Sequence, residues 1–127
     1  MSFSYVIDTS AWIEYFSGTA KGIKIKQLIE QEDIATSITA VLEIADKFER
    51  ENRKFDVCLH FVQKRAAVLP LTIEVALAAA KLKKGQRGKK EKFSISDGVH
   101  LATAIEEGAV LLTTDFDFSG IENVMLI

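Results

Sequence analysis

Val110-Leu111-Leu112-Thr113-Thr114-Asp115 is a short apolar run that ends on two hydroxyls and a carboxylate. Tyr5-Val6-Ile7-Asp8, near the other end of the chain, has the same form. Runs of this length, apolar throughout and closed by a polar residue, read as strands buried on both faces. In an open parallel sheet, ligands bind outside the carboxyl ends of the strands, where the strand order reverses. Asp8 and Asp115 are therefore expected at one edge of one sheet.

Outward from these two runs, strand and helix signals alternate. A helix is expected over residues 10–16, ended by Gly18, and a second over 21–31 with Ile25, Leu28 and Ile29 apolar. Residues 34–36 read as a strand. Thr39 is positioned to cap a helix whose Val41, Leu42, Ile44, Ala45 and Phe48 form one apolar face. Phe55, Cys58, Leu59 and Val62 mark another helix. Residues 67–71 read as a strand in which Pro70 requires an edge position or the strand's end. Thr72 caps the next helix, residues 98–107 form one stopped by Gly108, and 109–113 and 124–126 are strands. Strands separated by helices imply crossover connections and a parallel sheet covered on both faces. The expected fold class is α/β, with residues 1–127 as a single domain.

Two further acids stand near helix starts, Glu43 and Asp97. Each of the four has an ordinary structural job available. Asp8 can cap the helix that follows it. Asp115 can form a turn, with Asp117 doing the same. Asp97 closes Ser94-Ile95-Ser96-Asp97, a capping box. Glu43 points away from the apolar face of its helix, which by itself predicts a solvated side chain. Taken jointly, two acids follow strands and two begin helices that open toward the same edge. Clustered carboxylates repel unless cations neutralise them, and oxygen-only ligation favours Mg²⁺ or Mn²⁺ over zinc. Neither histidine competes as a ligand: His60 falls in a helical pattern, and His100, three residues after Asp97, could touch substrate but reads better as a surface or packing residue.

The composition is that of an ordinary globular domain, with 48% hydrophobic, 27% charged and 9% aromatic residues in 127. No apolar run reaches membrane-spanning length, and the first residues lack the form of a secretion signal. Cys58 is the single cysteine, so no disulfide framework or cysteine metal cluster is expected within the chain, and a reducing cytoplasm is the natural setting. The net charge of -2 conceals an asymmetry. Lys81, Lys83, Lys84, Arg87, Lys89, Lys90 and Lys92 face only Glu91 within one short segment, against nine basic and 17 acidic residues elsewhere. Such a segment is either an anion contact or a solvated loop with lysines favoured at a helix end.

These residues resemble a known family. Tyr5-Val6-Ile7-Asp8-Thr9-Ser10-Ala11-Trp12-Ile13 is similar to the opening of a PIN domain. Residues 95–104, Ile-Ser-Asp-Gly-Val-His-Leu-Ala-Thr-Ala, resemble its third acidic motif, and 111–118, Leu-Leu-Thr-Thr-Asp-Phe-Asp-Phe, its fourth. Glu43, in Thr39-Ala40-Val41-Leu42-Glu43-Ile44, fits the family's helical glutamate. Size and motif style look most like the VapC toxins of toxin–antitoxin pairs. The resemblance implies a three-layer α/β/α sandwich whose parallel sheet has the order 3-2-1-4-5, which makes strands 1 and 4 neighbours. It further implies a Mg²⁺- or Mn²⁺-dependent endoribonuclease with one or two ions per site, a homodimer, and a VapB-like antitoxin as partner.

Carried across, Asp8, Glu43, Asp97 and Asp115 would hold the metal. Thr113 and Ser10 would support them, with Asp117 peripheral, and Trp12, Tyr15 and Phe16 would belong to the core or a dimer surface. Lys81, Lys84, Arg87, Lys89, Lys90 and Lys92 would contact RNA phosphates. Gly98 departs from the small helix former usual after the third acid; glycine there costs about 1 kcal/mol of helix propensity unless close packing calls for it. Competing readings are a non-catalytic RNA-binding or scaffold module on the same fold and a PIN-like DNA nuclease. A phosphatase of the haloacid-dehalogenase type would want an aspartate two residues after Asp8, where Ser10 stands.

Overall fold

Alternate residues of the central strands enter two different cores. Ile7 and Leu112 have no exposed surface and pack on one face of the sheet with Trp12, Ile25, Ile29, Ile44 and Phe48. Val6 and Leu111, one residue earlier, lie on the other face with Phe93, Leu101, Ala104 and Phe118. This is the period of two that a strand imposes. The structure, a computed structural model, describes residues 2–86 and 88–127.

The elements follow in the order β1 (Tyr5–Ile7), α1 (Thr9–Ser17), α2 (Ala20–Gln31), β2 (Ile34–Ser37), α3 (Ile38–Arg50), α4 (Asp56–Arg65), β3 (Ala66–Leu69), α5 (Ile73–Gln86), α6 (Ile95–Glu106), β4 (Val110–Thr113), a 3-10 turn (Phe116–Phe118) and β5 (Val124–Leu126). The five strands form one parallel sheet in the order β3-β2-β1-β4-β5. Residues from α1 to α4 cover one face. On the other face lies α6, with α5 packed against it through Val75, Ala79, Val99 and Ala102. The sandwich and its strand order match the expectation. β1 pairs with β4 through Ile7 and Leu112, so both chains leave the sheet at the same level and in the same direction.

Local signals place most element ends where the sequence put them. Gly18 ends α1 at φ 65°, and Gly108 follows α6 at φ 65°; both values favour glycine. β3 stops at Leu69, immediately before Pro70, and lies at the sheet edge. Trp12 is fully buried, its indole N–H donating to Thr36 Oγ1 at 3.1 Å, and it stacks on Phe16 with ring centroids 5.7 Å apart. Three details differ from the sequence reading. Ser37 rather than Thr39 caps α3, its extended backbone letting Oγ accept the Ala40 N–H at 3.1 Å. Helix α6 begins at Ile95, and α5 runs on through Gly85 to Gln86, so Lys81, Lys83 and Lys84 are helical rather than part of a loop. Gly98 has a packing reason: a Cβ built there would lie 2.6 Å from the Ala79 carbonyl oxygen of α5.

Candidate active site

β1 ends by placing Asp8 over the sheet edge, where it caps α1. Its backbone is extended, which is the geometry an N-cap needs. Oδ1 accepts the Ala11 N–H and the Ser10 hydroxyl, both at 2.9 Å. Oδ2 accepts the Thr113 hydroxyl at 2.5 Å. Asp8 is only 3% exposed. Burial pushes its pKa up, and the nearby His100 together with the bonds from Thr113, Ala11 and Ser10 offsets only part of that.

Thr113, the last residue of β4, joins the two strand ends. While its hydroxyl donates to Asp8, its oxygen accepts the Asp115 N–H at 3.0 Å. Ser10 works in the same way, donating to Asp8 and accepting the Thr114 N–H at 3.1 Å. Ser10 and Thr113 approach each other at 3.2 Å. Each hydroxyl has one proton, already directed to Asp8, so this is a contact between two donors with a common acceptor. Asp115 caps the 3-10 turn, its Oδ1 accepting the Asp117 N–H at 2.9 Å. The turn uses the backbone of Asp117.

Glu43 is not the free surface glutamate that its helical position predicts. Oε1 accepts the Thr9 hydroxyl at 2.6 Å and lies 2.9 Å from His100 Nε2. His100 Nδ1 lies 3.1 Å from Ser37 Oγ, and the ring is 2% exposed. A carboxylate only accepts, so Nε2 carries a proton and donates it to Glu43. Burial raises the Glu43 pKa, yet the bonds from His100 and Thr9 and the charge of His100 outweigh it, leaving the carboxyl below its usual range. His100 is therefore a buried member of the site, not a surface residue. Thr9, Ser37 and His100 are the site residues that sequence reasoning passed over. The available signal for His100 was its spacing: three residues after Asp97, it shares a helix face with that acid.

Asp97 completes the capping box of α6. Its Oδ2 accepts the Ser94 N–H at 2.8 Å, and its own N–H donates to Ser94 Oγ at 3.1 Å. Burial raises its pKa, and the negative charge of Asp115 raises it further. Asp97 and Asp115 thus feel one another, and His100 acts electrostatically on both Asp8 and Asp97. Among the described residues, no group of three or more His, Cys, Asp or Glu side chains is drawn together as a ready-made metal site. The donor chemistry nevertheless fits a hard divalent cation: all four side chains offer carboxylate oxygen, and two are held against their own ionisation.

The basic segment approaches this edge at one end. Lys90 Nζ sits 5.8 Å from the ring centroid of Phe116, the residue after Asp115. Phe116 is itself 76% exposed. Lys81, Lys84, Lys89 and Lys92 are exposed, and none of the segment's lysines forms an ion pair among the described residues. Arg87 lies outside the described residues. A concavity of about 610 Å³ lies elsewhere, between Leu82, Lys89 and Lys90 and the 119–123 loop. Its lining contains none of the four acids, so the chemistry of the side chains, not depth, locates the site.

A family model described as PIN domain matches residues 5–124. Among solved structures, a toxin–antitoxin complex from Klebsiella pneumoniae superposes with a TM-score of 0.76 at 22% identity, covering 96% of each chain. DNA-bound VapBC from Salmonella typhimurium gives 0.75 at 17% identity, over 98% of this chain and 97% of that one. The sarcin–ricin-loop-cleaving toxin VapC20 of Mycobacterium tuberculosis gives 0.72 at 20% identity, over 94% and 95%. At these identities the likeness is one of fold. No curated protein matches the chain.

Proposed function

This chain belongs to the PIN-domain family, and on that premise we propose that it is a divalent-metal-dependent endoribonuclease, the toxin of a VapBC-type pair. The observation that carries the reading is the set of four acids. Asp8 and Asp115 are tied through Thr113 at the carboxyl ends of β1 and β4, Asp97 feels the charge of Asp115, and Glu43 is tethered to Thr9, the residue after Asp8.

Asp8, Glu43, Asp97 and Asp115 would hold one or two Mg²⁺ or Mn²⁺ ions. Bound there, such an ion supplies Lewis-acid stabilisation of charge on a phosphodiester and makes water a better nucleophile. The chain's own residues do the positioning. Thr113 and Ser10 fix both oxygens of Asp8, the capping box fixes Asp97, and the turn after Asp115 fixes that carboxylate. The exposed lysines of the basic segment bind phosphates without choosing sequence. Choice of RNA then rests on shape and unpaired bases.

Partners follow from the same reading. The structural neighbours that are toxin–antitoxin complexes support a VapB-like antitoxin as partner. Apolar residues left exposed one helical turn apart, Ile38 and Leu42 on α3 and Ile73 and Leu77 on α5, support a homodimer. No helix is long and apolar enough to cross a membrane among the described residues, and a single cysteine suits the reducing cytoplasm.

The test is cleavage of a structured RNA by the purified protein with Mn²⁺ or Mg²⁺, run beside single-stranded DNA. Asp97→Asn keeps an acceptor for the Ser94 N–H and is expected to abolish cleavage while remaining folded. Equal cleavage by wild type and variant sinks the assignment. A second reading, a non-catalytic RNA-binding or scaffold module, draws on the absence of a converged ligand group among the described residues. It predicts no divalent-ion binding by calorimetry.

A further inference from the structure

His100 is placed to do more than fill the space under α6. Glu43 is the sixth residue of α3, with its side chain 37% exposed. A glutamate in that position has several rotamers, and confining it to one costs conformational entropy. Thr9 and His100 both bond to it. Thr9, directly after Asp8, is the first residue of α1, and His100 comes from α6, one turn beyond Asp97. The elements that deliver two of the acids therefore also hold the third.

We propose that His100 is a positioning residue for Glu43, donating from Nε2 to fix the carboxylate in the orientation from which it binds a divalent cation. The inference rests on the metal-dependent reading above. At 2% exposure His100 cannot reach a polymer substrate, so its effect passes through Glu43. Its other nitrogen is supported by Ser37, which is also the cap of α3. Ser37 Oγ accepts the Ala40 N–H and lies 3.1 Å from His100 Nδ1, so the imidazole is held between Ser37 and Glu43. Helix α3 is thus gripped by His100 at two points, its cap and its sixth residue, which sets the direction of Glu43 independently of its exposure. Both the Thr9 and the His100 bonds land on Oε1, fixing the carboxylate plane without using Oε2 for either.

The experiment is calorimetric titration of the full chain with Mn²⁺, without RNA, on wild type, His100→Leu and His100→Gln, alone and in a Glu43→Gln background. Melting curves without metal accompany it. Loss of a hydrogen-bond partner behind a metal-ligating group typically lowers metal affinity by about 10–100-fold. His100→Leu is expected to lose affinity in that range. His100→Gln, which keeps a donor at similar reach, is expected to recover most of it. In the Glu43→Gln background His100→Leu is expected to add no further loss, because there is no carboxylate left to position. Folded His100→Leu binding Mn²⁺ as tightly as wild type overturns the inference alone. If His100→Leu does not fold, His100→Gln decides: affinity as low as that of Glu43→Gln overturns the inference. A wild type that binds no Mn²⁺ overturns the functional reading, and this inference with it.

Discussion

The Thr113 hydroxyl donates to Asp8 Oδ2 at 2.5 Å, between residues 105 positions apart in the chain. The same oxygen accepts the Asp115 N–H at 3.0 Å, so one fully buried side chain sets the relation of two acids. Thr113→Val keeps the shape and removes both functions. It leaves a buried carboxylate oxygen and a backbone N–H without partners, at a cost of about 1–3 kcal/mol. Denaturant titration should show that loss, and RNA cleavage should fall with it. Thr113→Ser retains the hydroxyl and should keep most of both.

Asp8 is held against its own ionisation. Its pKa is raised in the fold, so the folded protein binds the proton more tightly than the unfolded chain does. The associated stability is present below the unfolded pKa and is lost as pH rises through the folded one. At neutral pH the ionised group therefore works against folding. Asp8→Asn keeps the cap, since asparagine serves as well there, and should raise stability at pH 7 by roughly 0.5–2 kcal/mol while eliminating cleavage. The difference between variant and wild type should shrink as the pH is lowered toward the acidic range. Equal stability at all pH values would contradict the assignment of strain to Asp8. Glu43 has the opposite sign: its lowered pKa contributes stability above the unfolded value that is lost as pH falls through the folded one.

Gly98→Ala tests the contact between α5 and α6. Helix propensity alone favours alanine by about 1 kcal/mol. The added methyl would meet the Ala79 carbonyl oxygen at 2.6 Å, a backbone atom that cannot rotate away. Overpacking of this kind costs about 1–3 kcal/mol, so a lower melting temperature is expected. A rise would mean that α5 shifts freely.

Replacing Lys89, Lys90 and Lys92 together with alanine should weaken RNA binding at low salt and flatten its salt dependence. Each lost phosphate contact on a single strand removes about 0.7 from the slope of log affinity against log salt, or about 2 if all three contribute. Filter binding across a salt series measures this. An unchanged slope would make these lysines solvent-facing only.

The legibility of the site varied with the range of the interactions involved. The Asp97 capping box could be read directly, because Ser94 and Asp97 satisfy each other within one turn. The glycine stops at Gly18 and Gly108 could be read for the same reason. Thr39 is the natural cap for α3 on composition, but Ser37 is the last residue of β2 and its backbone is already extended. Strand capping decided the matter, and a helical wheel does not contain it.

Glu43 shows the limit most clearly. Its wheel position faces away from the apolar side of α3, and solvation was the local expectation. Only the approach of α6 and of the start of α1 places donors there. Sequence alone leaves His100 as a surface or packing residue or a substrate contact. Its partners, Ser37 and Glu43, are 63 and 57 residues away.

By itself, the sequence determined the succession of strands and helices, most of the helix caps, and the two acids that end strands, because each depends on backbone conformation and hydrogen bonds within a few residues. The family motifs carried the strand order. The tertiary structure decided which hydroxyls hold Asp8, that Glu43 is tethered through His100, and that Gly98 admits no side chain. Those facts depend on the parallel pairing of β1 with β4 and the close seating of α6 against α5, and no local propensity encodes the distance between two elements that meet only after folding.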